Sequence, residues 1–65
     1  MNSTELILSP SDIKIELAKI GLTQDRAARL IHKSPAMVSM VLAGKAISEP
    51  VLQRLSRLIA KRRGR

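Results

Sequence analysis

Apolar residues recur along this chain at three- and four-residue intervals, the spacing that places side chains on one face of an α-helix. Ile13, Leu17 and Ile20 have this spacing, and the Ser-Pro pair before them is typical of a helix N-terminus. Gly21 then supplies the left-handed residue that commonly follows a helix. The pattern predicts a first helix from about Pro10 to Ile20.

A second, shorter helix is predicted after Thr23, whose hydroxyl is suited to cap it. Ala27 and Ala28 lie on its apolar face, and their small side chains allow another helix to approach closely. We expect this helix to end near Ile31 or His32.

Two more helices complete the predicted fold. One starts at Ser34 and Pro35 and runs to about Leu42, before Gly44. The last opens at Ser48 and carries Val, Leu and Ile at helical spacing into the basic C-terminus. The sequence therefore predicts an all-α protein, a compact bundle of four or five helices.

The chain has room for one domain with a thin core, because its length is only 65 residues. We divide it into an N-terminal tail or arm (1–9), the helical domain (10–60) and a basic C-terminal tail (61–65). The apolar triplet Leu6-Ile7-Leu8 has two interpretations: a segment that covers the domain's own core, or an arm exchanged with a second subunit.

Charge gives the first indication of function, since the net charge is +7 and the pI is about 11.3. All of the excess lies after residue 22, and such a field attracts polyanions. A solubilising surface and an anionic membrane surface are the alternatives, the second being the less expected. Because the chain has no Phe, Trp or Tyr on which single-stranded bases could stack, duplex DNA is favoured over RNA.

Enzyme and metal chemistry find little support in the composition. The chain has no Cys and one His, and its Asp and Glu residues are scattered without a paired spacing. We therefore expect no enzyme activity, no metal and no cofactor. The sequence has no signal-peptide pattern and no apolar run of membrane-spanning length, so we expect a cytoplasmic location and no membrane partner.

Residues Gln24 to Ala43 resemble the helix-turn-helix of the lambda-repressor-like superfamily. The matching positions are Gln24, Ala27, Ala28, Ile31, Val38 and Val41. Two positions depart from the family, which favours Gly where His32 stands and an apolar residue where Lys33 stands. Because the turn needs a positive φ, we expect either left-handed backbone at His32, at a cost of about 1 kcal/mol, or a turn that follows a slightly different path.

The flanking segments Asp12-Ile13-Lys14 and Gly21-Leu22-Thr23-Gln24 extend the similarity to short Ner-like and other Cro-like regulators of phages and prophages, over about residues 10–60. This resemblance implies a lambda-repressor-like DNA-binding domain whose third helix enters the major groove of double-stranded DNA. It also implies a homodimer that binds two half-sites.

The resemblance places a phosphate contact on Gln24. It places base-edge contacts on Pro35, Ala36, Met37, Ser39 and Met40. Lys33 and Lys45 bracket the third helix and could each neutralise a phosphate, and Thr23 and Ser34 complete the predicted set. The helix carries no Arg, Asn or Gln, the residue types that commonly recognise base pairs, so discrimination is expected to be modest or to depend on DNA shape.

The function predicted from these observations is sequence-biased binding of duplex DNA by a repressor-like transcription regulator of phage or prophage type. One alternative is an antitoxin of the same fold that binds a protein toxin. Another is a protein-interaction module without DNA affinity, in which Met37 and Met40 form an interface.

Overall fold

The computed structural model describes residues 7–63, which form four α-helices and no β-strand. They are α1 (Pro10–Lys19), α2 (Gln24–Leu30), α3 (Pro35–Leu42) and α4 (Glu49–Arg63). The all-α prediction is confirmed, with four helices. Ile20 and Ile31 are the C-cap residues of α1 and α2, so these helices end slightly earlier than the sequence predicted. None of the helices in this range is long and apolar enough to cross a membrane.

Each helix begins after a hydroxyl residue that accepts a hydrogen bond from a backbone amide three residues later. The four bonds are Asp12 N to Ser9 Oγ (3.2 Å), Arg26 N to Thr23 Oγ1 (3.1 Å), Met37 N to Ser34 Oγ (3.1 Å) and Val51 N to Ser48 Oγ (3.4 Å). Each bond satisfies an amide that the helix itself leaves unpaired. The starts predicted at these Ser and Thr residues are therefore confirmed.

The first three helices end in the same hydrogen-bonded turn, which requires one residue with positive φ. That residue is Gly21 after α1 (φ 70°), His32 after α2 (φ 61°) and Gly44 after α3 (φ 81°). At the second turn His32 N donates to Arg29 O at 3.1 Å and Lys33 N donates to Ala28 O at 2.9 Å. Of the two expectations for this turn, the structure has left-handed backbone at His32.

The hydrophobic core draws residues from all four helices, and α3 contacts each of the other three. Its fully or nearly fully buried members are Ile13, Leu17, Leu22, Ala27, Ala28, Ile31, Val38, Val41, Leu42, Val51, Leu55 and Ile59. The two alanines of α2 have no exposed surface, as expected where two helices approach closely. The core thus fixes α3 in the centre of the fold.

The first described residues contact α4, and the last described residues belong to it. Leu8 packs against the core, and its backbone amide donates to Ser56 Oγ at 2.8 Å; Leu6, from the same apolar triplet, lies outside the described residues. Residues 61–63, which the sequence assigned to a basic tail, continue α4. Arg63 forms an ion pair with α1, in which its Nη1 lies 3.5 Å from Glu16 Oε1.

Candidate nucleic-acid interface

The helix α3 has one buried side and one exposed side. Its buried residues are Val38, Val41 and Leu42. Its exposed residues include all the base-edge positions predicted from the sequence: Pro35, Ala36, Met37, Ser39 and Met40. Because the buried side contacts the other three helices, the exposed side is held in a fixed orientation relative to the whole domain.

The exposed side of α3 carries two kinds of side chain in adjacent rows. Ala36, Ser39 and Ala43 follow one another at helical spacing and are small, so a ligand surface can come close to the helix backbone. Met37 and Met40 form the second row, and they are 42% and 46% exposed. The surface therefore offers close approach, flexible apolar contact and one hydroxyl, and it carries no charge.

Positive charge surrounds this neutral surface. Lys33 is half-buried before α3 and Lys45 is exposed after it, and neither forms an ion pair with any residue in the range 7–63. The sequence has no Asp or Glu between Arg26 and Ser48. Carboxylates in this stretch would repel a phosphate backbone, and their absence from it leaves a field of one sign around α3.

The caps of α2 and α3 provide further donors beside this surface. Thr23 and Ser34 are exposed, and each hydroxyl oxygen accepts from a backbone amide. A hydroxyl that accepts in this way keeps its own proton to donate to another group. Gln24 is half-buried at the first position of α2. The predicted contact residues thus fall on one segment, residues 23–45, whose two helices pack against each other.

One residue of this region was missed by the sequence analysis. Arg54 Nη1 of α4 donates to Ile31 O at 3.1 Å, and Ile31 is the C-cap of α2, immediately before the turn that leads to α3. The positive guanidinium also suits the negative end of the helix dipole. No pattern in the sequence signals this bond, because it depends on where α4 crosses the turn.

The exposed groups around α3 determine which kind of ligand this surface suits. Within residues 7–63, no group of three or more His, Cys, Asp or Glu side chains is placed to hold a metal ion. The groups that converge around α3 are ammonium, hydroxyl, amide and thioether groups. Together they match a polyanion with a partly apolar surface, which is the chemistry of duplex DNA with its phosphates and thymine methyl groups.

Comparison with known proteins identifies a family. A helix-turn-helix family model matches residues 13–62, from the middle of α1 almost to the end of α4. No curated protein and no solved structure matched the chain. The matched range includes the turn at His32 and the whole exposed face of α3.

Proposed function

The chain belongs to the helix-turn-helix family, in the lambda-repressor-like superfamily of DNA-binding transcription regulators, and we propose that it is a repressor-like regulator with modest sequence preference. One observation carries the proposal. The exposed face of α3 is neutral and is bracketed by Lys33 and Lys45, which have no ion-pair partner among residues 7–63. Such a face suits base edges, and its flanks suit the phosphates on either side.

Sequence preference in this proposal comes from the two rows on α3. Met37, Met40 and Ala36 press on thymine methyl groups, and Ser39 supplies the one side-chain hydrogen bond to a base edge. A bidentate contact is worth about 1–3 kcal/mol of discrimination, and α3 has no residue that can make one. Preference at each base pair is therefore weak, and DNA shape supplies part of the total.

Affinity in this proposal comes from the phosphates. Gln24, Thr23 and Ser34 donate to phosphate oxygens near the starts of α2 and α3, while Lys33 and Lys45 neutralise phosphates by charge. Two copies on half-sites one helical turn apart would supply the affinity that one small module lacks. Occupation of a promoter by this dimer gives repression by occlusion, and the Ner-like resemblance favours a phage or prophage origin.

The test is fluorescence anisotropy of labelled duplexes over a salt series, combined with selection from a random-sequence pool. We expect a steep salt dependence and an enriched site with two-fold symmetry. Lys33→Ala and Lys45→Ala should each lower the slope of log K against log salt by about 1. Gln24→Ala should weaken binding to all duplexes, whereas Ser39→Ala and Met40→Ala should change the selected sequence.

Lys14→Ala is the matched control, because it removes one exposed lysine from α1, outside the proposed interface. It should leave both the slope and the selected sequence nearly unchanged. Equal effects of Lys14→Ala and Lys33→Ala would show that binding depends on the net charge of the protein and not on the proposed interface. Absence of binding at low salt would refute DNA binding altogether.

A protein-binding role of the same fold, such as that of an antitoxin, is the second candidate. The exposure of Met37 and Met40 favours it, since flexible thioether side chains are common at protein interfaces. It predicts a stoichiometric protein partner whose binding is lost on Met37→Lys. It also predicts that duplex DNA does not compete with that partner.

A further inference from the structure

A groove separates the C-terminal end of α2 from α4, on a surface that the proposed DNA interface does not use. Its volume is about 600 Å³. Its lining includes Leu30 and His32 from α2 and the turn, and Arg54, Arg57, Leu58 and Lys61 from α4. We call it the α2–α4 groove. None of the residues assigned above to DNA contacts lines it.

The α4 wall of the groove is a regular stripe. Arg54, Arg57, Leu58 and Lys61 lie at i, i+3, i+4 and i+7, so they occupy one face over two helical turns, about 10 Å along the axis. The stripe has three cationic side chains and one half-buried leucine, and no acidic residue lines the groove. Arg54 and Lys61, two helical turns apart, offer binding sites for carboxylates at the two ends of the stripe.

The opposite wall supplies an apolar contact. Leu30 is the last residue of α2 and is 45% exposed, and it lies across the groove from the α4 stripe. We call Leu30 and Leu58 the apolar floor of the groove, and the cationic side chains of α4 that line it the cationic rim. Large apolar side chains left exposed beside a concave surface are typical of interaction sites.

From this combination we propose that the α2–α4 groove binds an acidic, amphipathic segment of a protein partner, with an apolar side chain seated between Leu30 and Leu58. Carboxylates of the partner bind the cationic rim, where Arg guanidinium groups allow bidentate geometry. Arg54 uses only part of its five-donor guanidinium on Ile31 O. A phosphate backbone would satisfy the cations but would leave both leucines uncovered.

The experiment uses two labelled synthetic peptides with the same number of glutamates. One has Leu at helical spacing between the glutamates, and the other has Gln in place of every Leu. We expect the full chain to bind the Glu/Leu peptide about tenfold more tightly, since covering the apolar floor removes that surface from water. Leu30→Gln should reduce the difference between the peptides, because only Leu58 of the apolar floor remains, and should leave the Glu/Gln affinity unchanged.

Lys61→Glu and Lys14→Glu are a charge-matched pair for the same assay. Lys61→Glu should weaken both peptides several-fold more than Lys14→Glu does, and amide shifts on peptide addition should cluster at residues 30–32 and 54–61. Equal affinities for the two peptides, equal effects of the two charge reversals, or shifts centred on α3 would each overturn the proposal. In a separate competition experiment, displacement of the peptide from these residues by duplex DNA would assign the groove to nucleic acid instead. The direct peptide titration contains no DNA, so its result does not depend on the proposed DNA binding.

Discussion

Replacement of His32 by Gly should stabilise this domain, although it removes a complete side chain. His32 holds the position that Gly21 and Gly44 hold in the other two turns, with φ at 61° where they have 70° and 81°. The left-handed conformation costs an L-residue about 1–2 kcal/mol relative to glycine, and His is among the residue types that tolerate it better than most. The native state therefore stores strain at this turn.

The expected gain is smaller than that strain, because glycine also makes the unfolded chain more flexible. That effect opposes the gain by about 0.4–1 kcal/mol. Subtracting it from the lower half of the strain range leaves a net stabilisation of about 0.5 kcal/mol. For a domain of this size about 1 kcal/mol corresponds to 4–8 °C, so His32→Gly should raise Tm by about 2–4 °C.

Thermal unfolding followed by far-UV circular dichroism is the assay, and the other two turns provide the controls. Gly21→Ala and Gly44→Ala should each lower Tm, because alanine is strained at positive φ. An added Cβ meets no atom within 4 Å at either position, so this strain is the only cost. A loss of stability in His32→Gly alongside these expected losses would refute the reasoning. It would mean that the imidazole makes a favourable contact in the α2–α4 groove larger than the backbone strain.

Three further substitutions test contacts between elements. Ser56→Ala should cost about 1–3 kcal/mol in urea unfolding, because it leaves the amide of Leu8 without its acceptor in a partly buried site. Arg54→Met should speed hydrogen exchange of the His32 amide, measured by NMR, since the α2 C-terminus loses its bond to α4. Leu55→Ala should cost about 2–5 kcal/mol, a large part of the stability of so small a domain, because Leu55 is fully buried.

Each of these substitutions has an exposed counterpart in α1. Ser11→Ala, Lys14→Met and Ile15→Ala remove the same kinds of group from exposed positions, and each should change stability by less than about 0.5 kcal/mol. A Ser56→Ala variant as stable as Ser11→Ala would contradict the stabilising role given to the hydrogen bond between Leu8 and Ser56. Unchanged exchange in Arg54→Met would contradict the role given to Arg54.

The starts of the four helices, and the ends of the first three to within one or two residues, could be predicted from the sequence because they depend on neighbours in the chain. A hydroxyl such as that of Ser34 caps an amide three residues away, and Gly44 ends the same helix through its own φ. These are local interactions, and their residue types are characteristic. The position of the turn in the helix-turn-helix pattern also indicated left-handed backbone as one of two expectations for His32.

Contacts across the fold could not be predicted in this way. The bond from Arg54 to Ile31 O joins residues 23 positions apart, and that from Leu8 to Ser56 joins residues 48 apart. A short run of basic residues in α4 has the same appearance in a sequence whether its side chains bind solvent, a carbonyl or a partner. The α2–α4 groove exists only because α4 passes the end of α2, so no local sequence pattern predicts it.

The composition of α3 connects the fold to the oligomeric state that we propose. A nonspecific protein–DNA complex held by phosphate contacts has a Kd of about 10⁻⁴–10⁻⁶ M, and specific sites are usually bound about 10³–10⁷ times more tightly. One copy of α3 cannot supply a difference in affinity of that size. Its Ser39 and two methionines make no bidentate contact with a base pair, and such contacts provide most of the discrimination. Doubling the interface doubles the discrimination free energy, which squares the specificity ratio. In the proposed function, weak base contacts on α3 therefore favour two copies on a symmetric site as the arrangement that selects a promoter.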